Sequence, residues 1–134
     1  MLLTNRQRPR VVVADDYTDL HASFHRLLEP SCEVVACVAD GTAVLEQVLQ
    51  WQPDVVVLDL FIPPMSGVEI CRCIKNITPD TQVIIISATT EAEIREEARR
   101  AGASAFVSKL LAAEELVPAI QRVTSTSFDR FTTT

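Results

Sequence analysis

Residues 55–59 read Val55-Val56-Val57-Leu58-Asp59, three β-branched residues and a leucine running without a break into one carboxylate. A half-buried strand alternates apolar with polar, whereas an unbroken β-branched run belongs to a strand covered on both faces, as in a parallel sheet between helical layers. Comparable runs are Val11-Val12-Val13-Ala14, Val34-Val35-Ala36-Cys37-Val38 and Val83-Ile84-Ile85-Ile86, with a weaker fifth at Ala105-Phe106-Val107. Around them apolar residues recur every three or four positions: Leu20, Phe24, Leu27 and Leu28; Val44, Leu45, Val48 and Leu49; Val68, Cys71 and Ile74; Ile94, Ala98 and Ala101; Leu116, Ile120 and Val123. That period is helical, so each strand is followed by one helix. Five such units, joined by right-handed crossovers, predict an α/β doubly wound (βα)5 fold of flavodoxin-like type. Its five-stranded parallel sheet is expected in the order 2-1-3-4-5 with helices on both faces.

Punctuation supports the same order. Asp40, Ser66 and Thr90 each place a side-chain oxygen before an amphipathic segment and are expected to cap the second, third and fourth helices. Gly102 fits the stop of the fourth. Pro118 falls well inside the fifth helical segment and predicts a kink or a late start there.

A chain of 134 residues suits one domain. We read an N-terminal extension over 1–9, the folded unit over 10–123, and a flexible polar tail or the start of a linker over 124–134. The net charge of −6 and pI of about 4.8 lack the electropositive surface that phosphate-backbone binding requires, which disfavours direct nucleic-acid binding. Arg6, Arg8 and Arg10, spaced by Gln7 and Pro9, and Arg26 read as solvated. No apolar run approaches the roughly 18 residues that a membrane span needs. Met1-Leu2-Leu3 passes straight into Thr4-Asn5-Arg6 and supplies no signal-peptide core, so the expectation is a cytoplasmic chain with reduced cysteines. Cys32, Cys37, Cys71 and Cys73 show no C-x-x-C spacing, and on a helix Cys71 and Cys73 would point about 200° apart, which argues against a thiolate metal site. His21 and His25 stand four apart but lack the Glu of a metalloprotease motif, and are expected to flank the outer face of the first helix.

A sheet in this order has its switch point between strands 1 and 3, so a ligand belongs at their C-terminal ends. The loops there carry Asp15 and Asp16, after strand 1, and Asp59, after strand 3. Three converging carboxylates repel and raise at least one pKa unless a cation sits among them. Ligation by oxygen alone suits a hard octahedral ion, Mg²⁺ in the first place and Mn²⁺ as its alternative. Strand 4 ends at Ser87 and strand 5 is followed by Lys109, a hydroxyl and an ammonium suited to holding a phosphoryl group.

These residues resemble the receiver domain of response regulators over residues 10–123. The family has an acidic pair after strand 1, an Asp after strand 3 leading into a Pro-x-Met-x-Gly turn, Thr or Ser then Ala after strand 4, and Lys after strand 5. This chain has Asp15-Asp16, Asp59-Leu60-Phe61-Ile62-Pro63-Pro64-Met65-Ser66-Gly67, Ser87-Ala88 and Lys109. The resemblance implies Asp59 as the phosphorylated residue. Asp16, Asp59 and the backbone carbonyl of Phe61 would ligate Mg²⁺ directly and Asp15 through water. Ser87 and Lys109 would hold the new phosphoryl group, and Phe106 would be the switch aromatic. The implied donor is a sensor histidine kinase or a phosphotransfer protein, and the implied output runs through the face of helix 4, strand 5 and helix 5, with a homodimer through that face among the expectations. Asp40-Gly41, Ala101-Gly102-Ala103 and the Ala113-to-Val123 helix are similar to receivers of the NarL/FixJ type, which usually precede a helix-turn-helix domain. Whether the chain is a stand-alone receiver or part of a longer regulator stays open.

Two departures matter. Leu110 follows Lys109 where the family has Pro, often after a cis bond. A cis bond to a non-proline residue costs roughly 3 kcal/mol, so a trans bond and a different seat for Lys109 are expected. Phe61, two residues past the acceptor, is expected to shield an acyl phosphate from water. Three rivals are weaker. Dehalogenase-like phosphatases need a second Asp where Phe61 stands, a nucleotide-binding module needs a Gly-rich loop after strand 1, and a degenerate, protein-binding receiver would not need Asp59, Ser87 and Lys109 together.

Overall fold

The computed structural model describes residues 8–133, with side chains over 8–125. Most of the N-terminal extension, including Arg6, lies outside the described residues. In chain order the elements are β1 (Arg10–Ala14), α1 (Asp19–Leu28), β2 (Glu33–Val38), α2 (Gly41–Trp51), β3 (Val55–Asp59), β4 (Phe61–Ile62), β5 (Met65–Ser66), α3 (Gly67–Ile77), β6 (Gln82–Ser87), α4 (Ala92–Arg100), β7 (Ala105–Ser108) and α5 (Ala112–Thr133). The main sheet has the order β2-β1-β3-β6-β7, all parallel. Because β4 and β5 form a separate two-stranded sheet, the five long strands keep the order 2-1-3-4-5.

Successive residues of a strand point to opposite faces, and here both faces are apolar. Val12, Ala14, Val56, Leu58, Val83 and Ile85 pack with Val44, Val48, Ile70, Cys71, Ile74 and Ala98 of α2, α3 and α4. Their neighbours Val11, Val13, Val55, Val57, Ile84 and Ile86 pack with Phe24 and Leu28 of α1 and with Leu116, Ala119 and Ile120 of α5. The unbroken runs therefore reflect two cores divided by one sheet. Burying a side chain of this kind contributes about 1.5–3 kcal/mol, so the sheet is the rigid platform from which the loops project.

Most of the caps fall where the sequence places them. The Asp40 carboxylate accepts the Thr42 N–H at 2.7 Å, and Ser66 and Glu69 form a reciprocal capping box at the start of α3. Gly102, at φ 104°, takes the left-handed conformation that ends α4. Thr90 does not cap α4. The N-cap is Glu91, without a side-chain bond, and the Thr89 hydroxyl accepts the Glu91 N–H at 3.3 Å. A hydroxyl two residues before the cap competes successfully for that donor. The helix containing Pro118 does not begin late. A 3-10 turn over Lys109–Leu111 leads into α5 at Ala112. Helical backbone then continues to Thr133, through the segment expected to be a flexible tail or linker start. No glycine or second proline follows Pro118, so nothing in the backbone chemistry stops the helix.

Candidate functional site

The sheet fixes where the chain leaves it. The Asp15 N–H donates to the Val38 carbonyl and the Leu60 N–H to the Ile86 carbonyl, both at 3.0 Å. Ladder bonding thus persists to the positions of the carboxylates. Ala14 is paired with Leu58, so Asp15 and Asp59 emerge side by side. Carboxylate oxygens of Asp15, Asp16 and Asp59 lie within 4.8 Å of one another. Asp15 is fully buried and Asp59 nearly so, while Asp16 is exposed.

Lys109 reaches over from the end of β7. Its Nζ donates to Asp59 Oδ2 at 2.9 Å and lies 3.2 Å from Asp15 Oδ2. The second approach is a charge contact without hydrogen-bond geometry, so Asp15 Oδ2 is a buried oxygen with no hydrogen-bond partner among the described residues. Asp15 Oδ1 accepts the Tyr17 N–H at 2.8 Å, and Asp59 Oδ1 accepts the Phe61 N–H at 3.2 Å. Among the described residues the Lys109–Leu110 bond is trans, and the cis bond is Pro63–Pro64.

Burial pushes the Asp59 carboxyl above the ordinary carboxylate range. The Lys109 hydrogen bond opposes that rise and the charge of Asp15 adds to it. Desolvation therefore outranks the mutual repulsion on which the sequence argument rests. For Lys109, burial favours loss of the proton, but the hydrogen bond to Asp59 and the charges of Asp59 and Asp15 outweigh it and hold the ammonium above its usual pKa.

Ser87 ends β6, one residue beyond Ile86, the register partner of Asp59. It is buried, and its Oγ accepts the Thr89 N–H at 3.0 Å, leaving the hydroxyl proton for another acceptor. Phe106 sits on β7, opposite Ile85, half-buried against the core. Its ring lies under the Arg95 guanidinium, 5.5 Å from the centroid. Phe61 is 68% exposed, as is most of Leu110. Three residues escaped sequence reasoning: Thr89, Arg95 and His21. His21 does not flank an outer surface, because its Nε2 lies 2.7 Å from the Asp15 carbonyl. Only His25 behaves as expected, exposed and 3.5 Å from Glu29.

A cation is the natural complement of this cluster. A buried carboxylate oxygen that accepts no hydrogen bond is costly to leave so, and the donors are all hard oxygens. The residues present fit a hard divalent ion. They also place a desolvated carboxylate beside an ammonium and a hydroxyl, an arrangement able to receive and hold an anionic group.

A family model, the response regulator receiver domain, matches residues 11–121. The chain belongs to this family. Receivers are signalling domains of two-component systems, phosphorylated on an aspartate, and they bind Mg²⁺ at an acidic pocket of this kind. The oxygen regulatory protein NreC of Staphylococcus epidermidis is 32% identical over 117 residues, which cover 85% of this chain and 54% of that protein. The transcriptional regulatory protein DegU of Brevibacillus brevis is 31% identical over 121 residues, covering 89% and 51%. The chain thus spans about half the length of these curated relatives. The solved receiver domain of the response regulator NarL from Mycobacterium tuberculosis superposes with a TM-score of 0.85 at 32% identity, covering 90% of this receiver and 98% of that chain. Among the described residues no helix is long and apolar enough to cross a membrane.

Proposed function

We propose that this receiver accepts a phosphoryl group on Asp59 from a phosphohistidine donor, with Mg²⁺ held by Asp16, Asp59 and the Phe61 carbonyl and, through water, by Asp15. Mn²⁺ would serve in its place. The observation that carries this reading is the gathering of Asp15, Asp16 and Asp59 within 4.8 Å with the Lys109 ammonium 2.9 Å from Asp59. When bound, the ion neutralises charge and aligns phosphoryl oxygens for in-line displacement.

The chain's own groups do the rest. An Asp59 carboxylate oxygen attacks phosphorus; the P–N bond to the donor imidazole breaks, and its electron pair leaves with the nitrogen. The product is an acyl phosphate. Lys109 exchanges its Asp59 partner for a phosphoryl oxygen, and the Ser87 hydroxyl donates to another. Hydrolysis reverses the mark: water attacks phosphorus, the P–O bond to Asp59 breaks, and inorganic phosphate leaves. The receiver thus promotes its own phosphorylation and dephosphorylation and turns over no external ester, since Phe61 stands where a phosphatase needs its acid.

Phe106 supplies the readout. Its alternative packings are coupled to whether Ser87 is drawn toward phosphate, and phosphate shifts them only by its differential affinity for the two. The output surface is the face of α4, β7 and α5, where Thr90, Arg95, Arg99, Ser104 and Phe106 line a groove of about 510 Å³. A cytoplasmic histidine kinase or phosphotransfer protein is the donor. The output is an attached domain, a separate partner or a second copy docked through this face.

Incubation with acetyl phosphate, with and without Mg²⁺, followed by intact mass measurement tests the assignment. We expect a metal-dependent gain of one phosphoryl group that Asp59→Ala abolishes. The same gain in Asp59→Ala, or without divalent metal, would overturn it.

A further inference from the structure

The Asp15–Asp16 peptide joins two members of the acidic cluster, so its orientation sets where both carboxylates start. Three hydrogen bonds fix Asp15. Its N–H donates to the Val38 carbonyl at 3.0 Å, its Oδ1 accepts the Tyr17 N–H at 2.8 Å, and its carbonyl oxygen meets His21 Nε2 at 2.7 Å. The first belongs to the sheet ladder, and the second closes Asp15's own carboxylate onto the adjoining turn. The third is a side chain reaching back from α1 across six residues. A carbonyl only accepts, so Nε2 carries the proton, in the neutral tautomer or the imidazolium alike. The contact therefore does not depend on the charge of the ring.

Asp16 is the exposed member of the cluster, and its carboxylate accepts no hydrogen bond among the described residues. Its direction is inherited from the peptide plane before it. We infer that His21 is a positioning residue for the metal site: it pins the Asp15 carbonyl and so holds the Asp15–Asp16 peptide in the orientation that presents Asp16 to the cation. The inference rests on the reading of Asp15, Asp16 and Asp59 as that site. Partners that orient ligands without touching the metal are commonly worth 10–100-fold in affinity.

The test is Mg²⁺ binding to the full chain by titration calorimetry, without phosphodonor, for the native protein, His21→Leu and His21→Gln, with thermal melting in EDTA for each. Gln offers an amide N–H near the position of Nε2; Leu offers none. His21→Leu should weaken Mg²⁺ binding by about tenfold while melting in EDTA close to native, and His21→Gln should recover binding to within about threefold. Equal affinity in native and His21→Leu overturns the role of His21 and leaves the site standing. His21→Gln binding as weakly as His21→Leu also overturns it, because restoring the donor would then restore nothing. A native chain that binds no Mg²⁺ sinks the metal-site reading and this inference with it.

Discussion

Asp59 is a carboxylate that the fold disfavours in its charged form, and that has a measurable consequence. Its native pKa lies above the unfolded value, chiefly through burial. Below the unfolded pKa both states carry the proton and burial costs nothing; as pH rises through the native value, the native state must ionise a buried group and stability is lost. In EDTA at pH 7, Asp59→Asn should therefore melt higher than native. The gain should shrink as pH falls through the native pKa toward the ordinary carboxylate range. A lower melting temperature at pH 7 would show that the Lys109 pair outweighs desolvation, and a gain independent of pH would show that it does not come from ionising Asp59. Phe61 carries a second prediction: if its ring shields the acyl phosphate, Phe61→Asn should lose label several-fold faster in a phosphate-release assay. Equal rates would be understandable for a ring 68% exposed and would dismiss the shield. Asp15, Asp16, Asp59, Ser87 and Lys109 were legible in the sequence because strand ends are easy to place and a switch point collects whatever they carry. His21 and Arg95 were not. Their roles depend on how far each helix is rotated about its axis and which way a long side chain folds, neither of which a periodicity states.

The elements that hold the acceptor loop are held in turn by glycine and a cap. A Cβ on Gly67 would run into the Asp59 carbonyl and crowd Leu60, and the Gly67 N–H donates to the Leu60 carbonyl at 2.7 Å. The end of β3 and the start of α3 approach too closely for any other residue. Gly67→Ala should cost about 2 kcal/mol or more by forcing that backbone apart, and should slow phosphorylation because the displaced carbonyl belongs to the acceptor itself. Ser66→Ala, which removes only the cap, should cost about 1 kcal/mol and leave the phosphorylation rate near native; equal effects of both on that rate would refute the distinction. At this scale the five long strands and their helices were readable from period alone. The β4–β5 hairpin was not, since Phe61-Ile62 and Met65-Ser66 are too short to show an alternation and pair only because the Pro63-Pro64 turn folds one onto the other. The cap of α4 was placed one residue early, at Thr90, because nothing in the sequence shows that the Thr89 hydroxyl takes the Glu91 N–H and that the helix starts after Glu91.

Across the whole molecule, the acidic cluster straddles the loops after β1 and β3, the two strands flanking the switch point of the sheet. A ligand joining these loops acts on the same cooperative unit that unfolds, so its binding energy adds to global stability and not to one loop. A metal that binds the folded chain alone contributes RT ln(1 + [M]/Kd), about 1.4 kcal/mol at ten times Kd, or roughly 4–7 °C for a domain of this size. The melting temperature of the native chain should climb with the logarithm of Mg²⁺ concentration and fall back in EDTA. Sodium chloride at matched ionic strength separates binding from screening, since an excess of acidic residues is also relieved by salt. Asp16→Asn should flatten the Mg²⁺ series while keeping the salt response, because it removes a ligand proposed for the ion and leaves the sheet and both cores untouched. A native series that merely tracks its salt control would mean that the three carboxylates share their crevice without a divalent ion, with the Lys109 ammonium beside them.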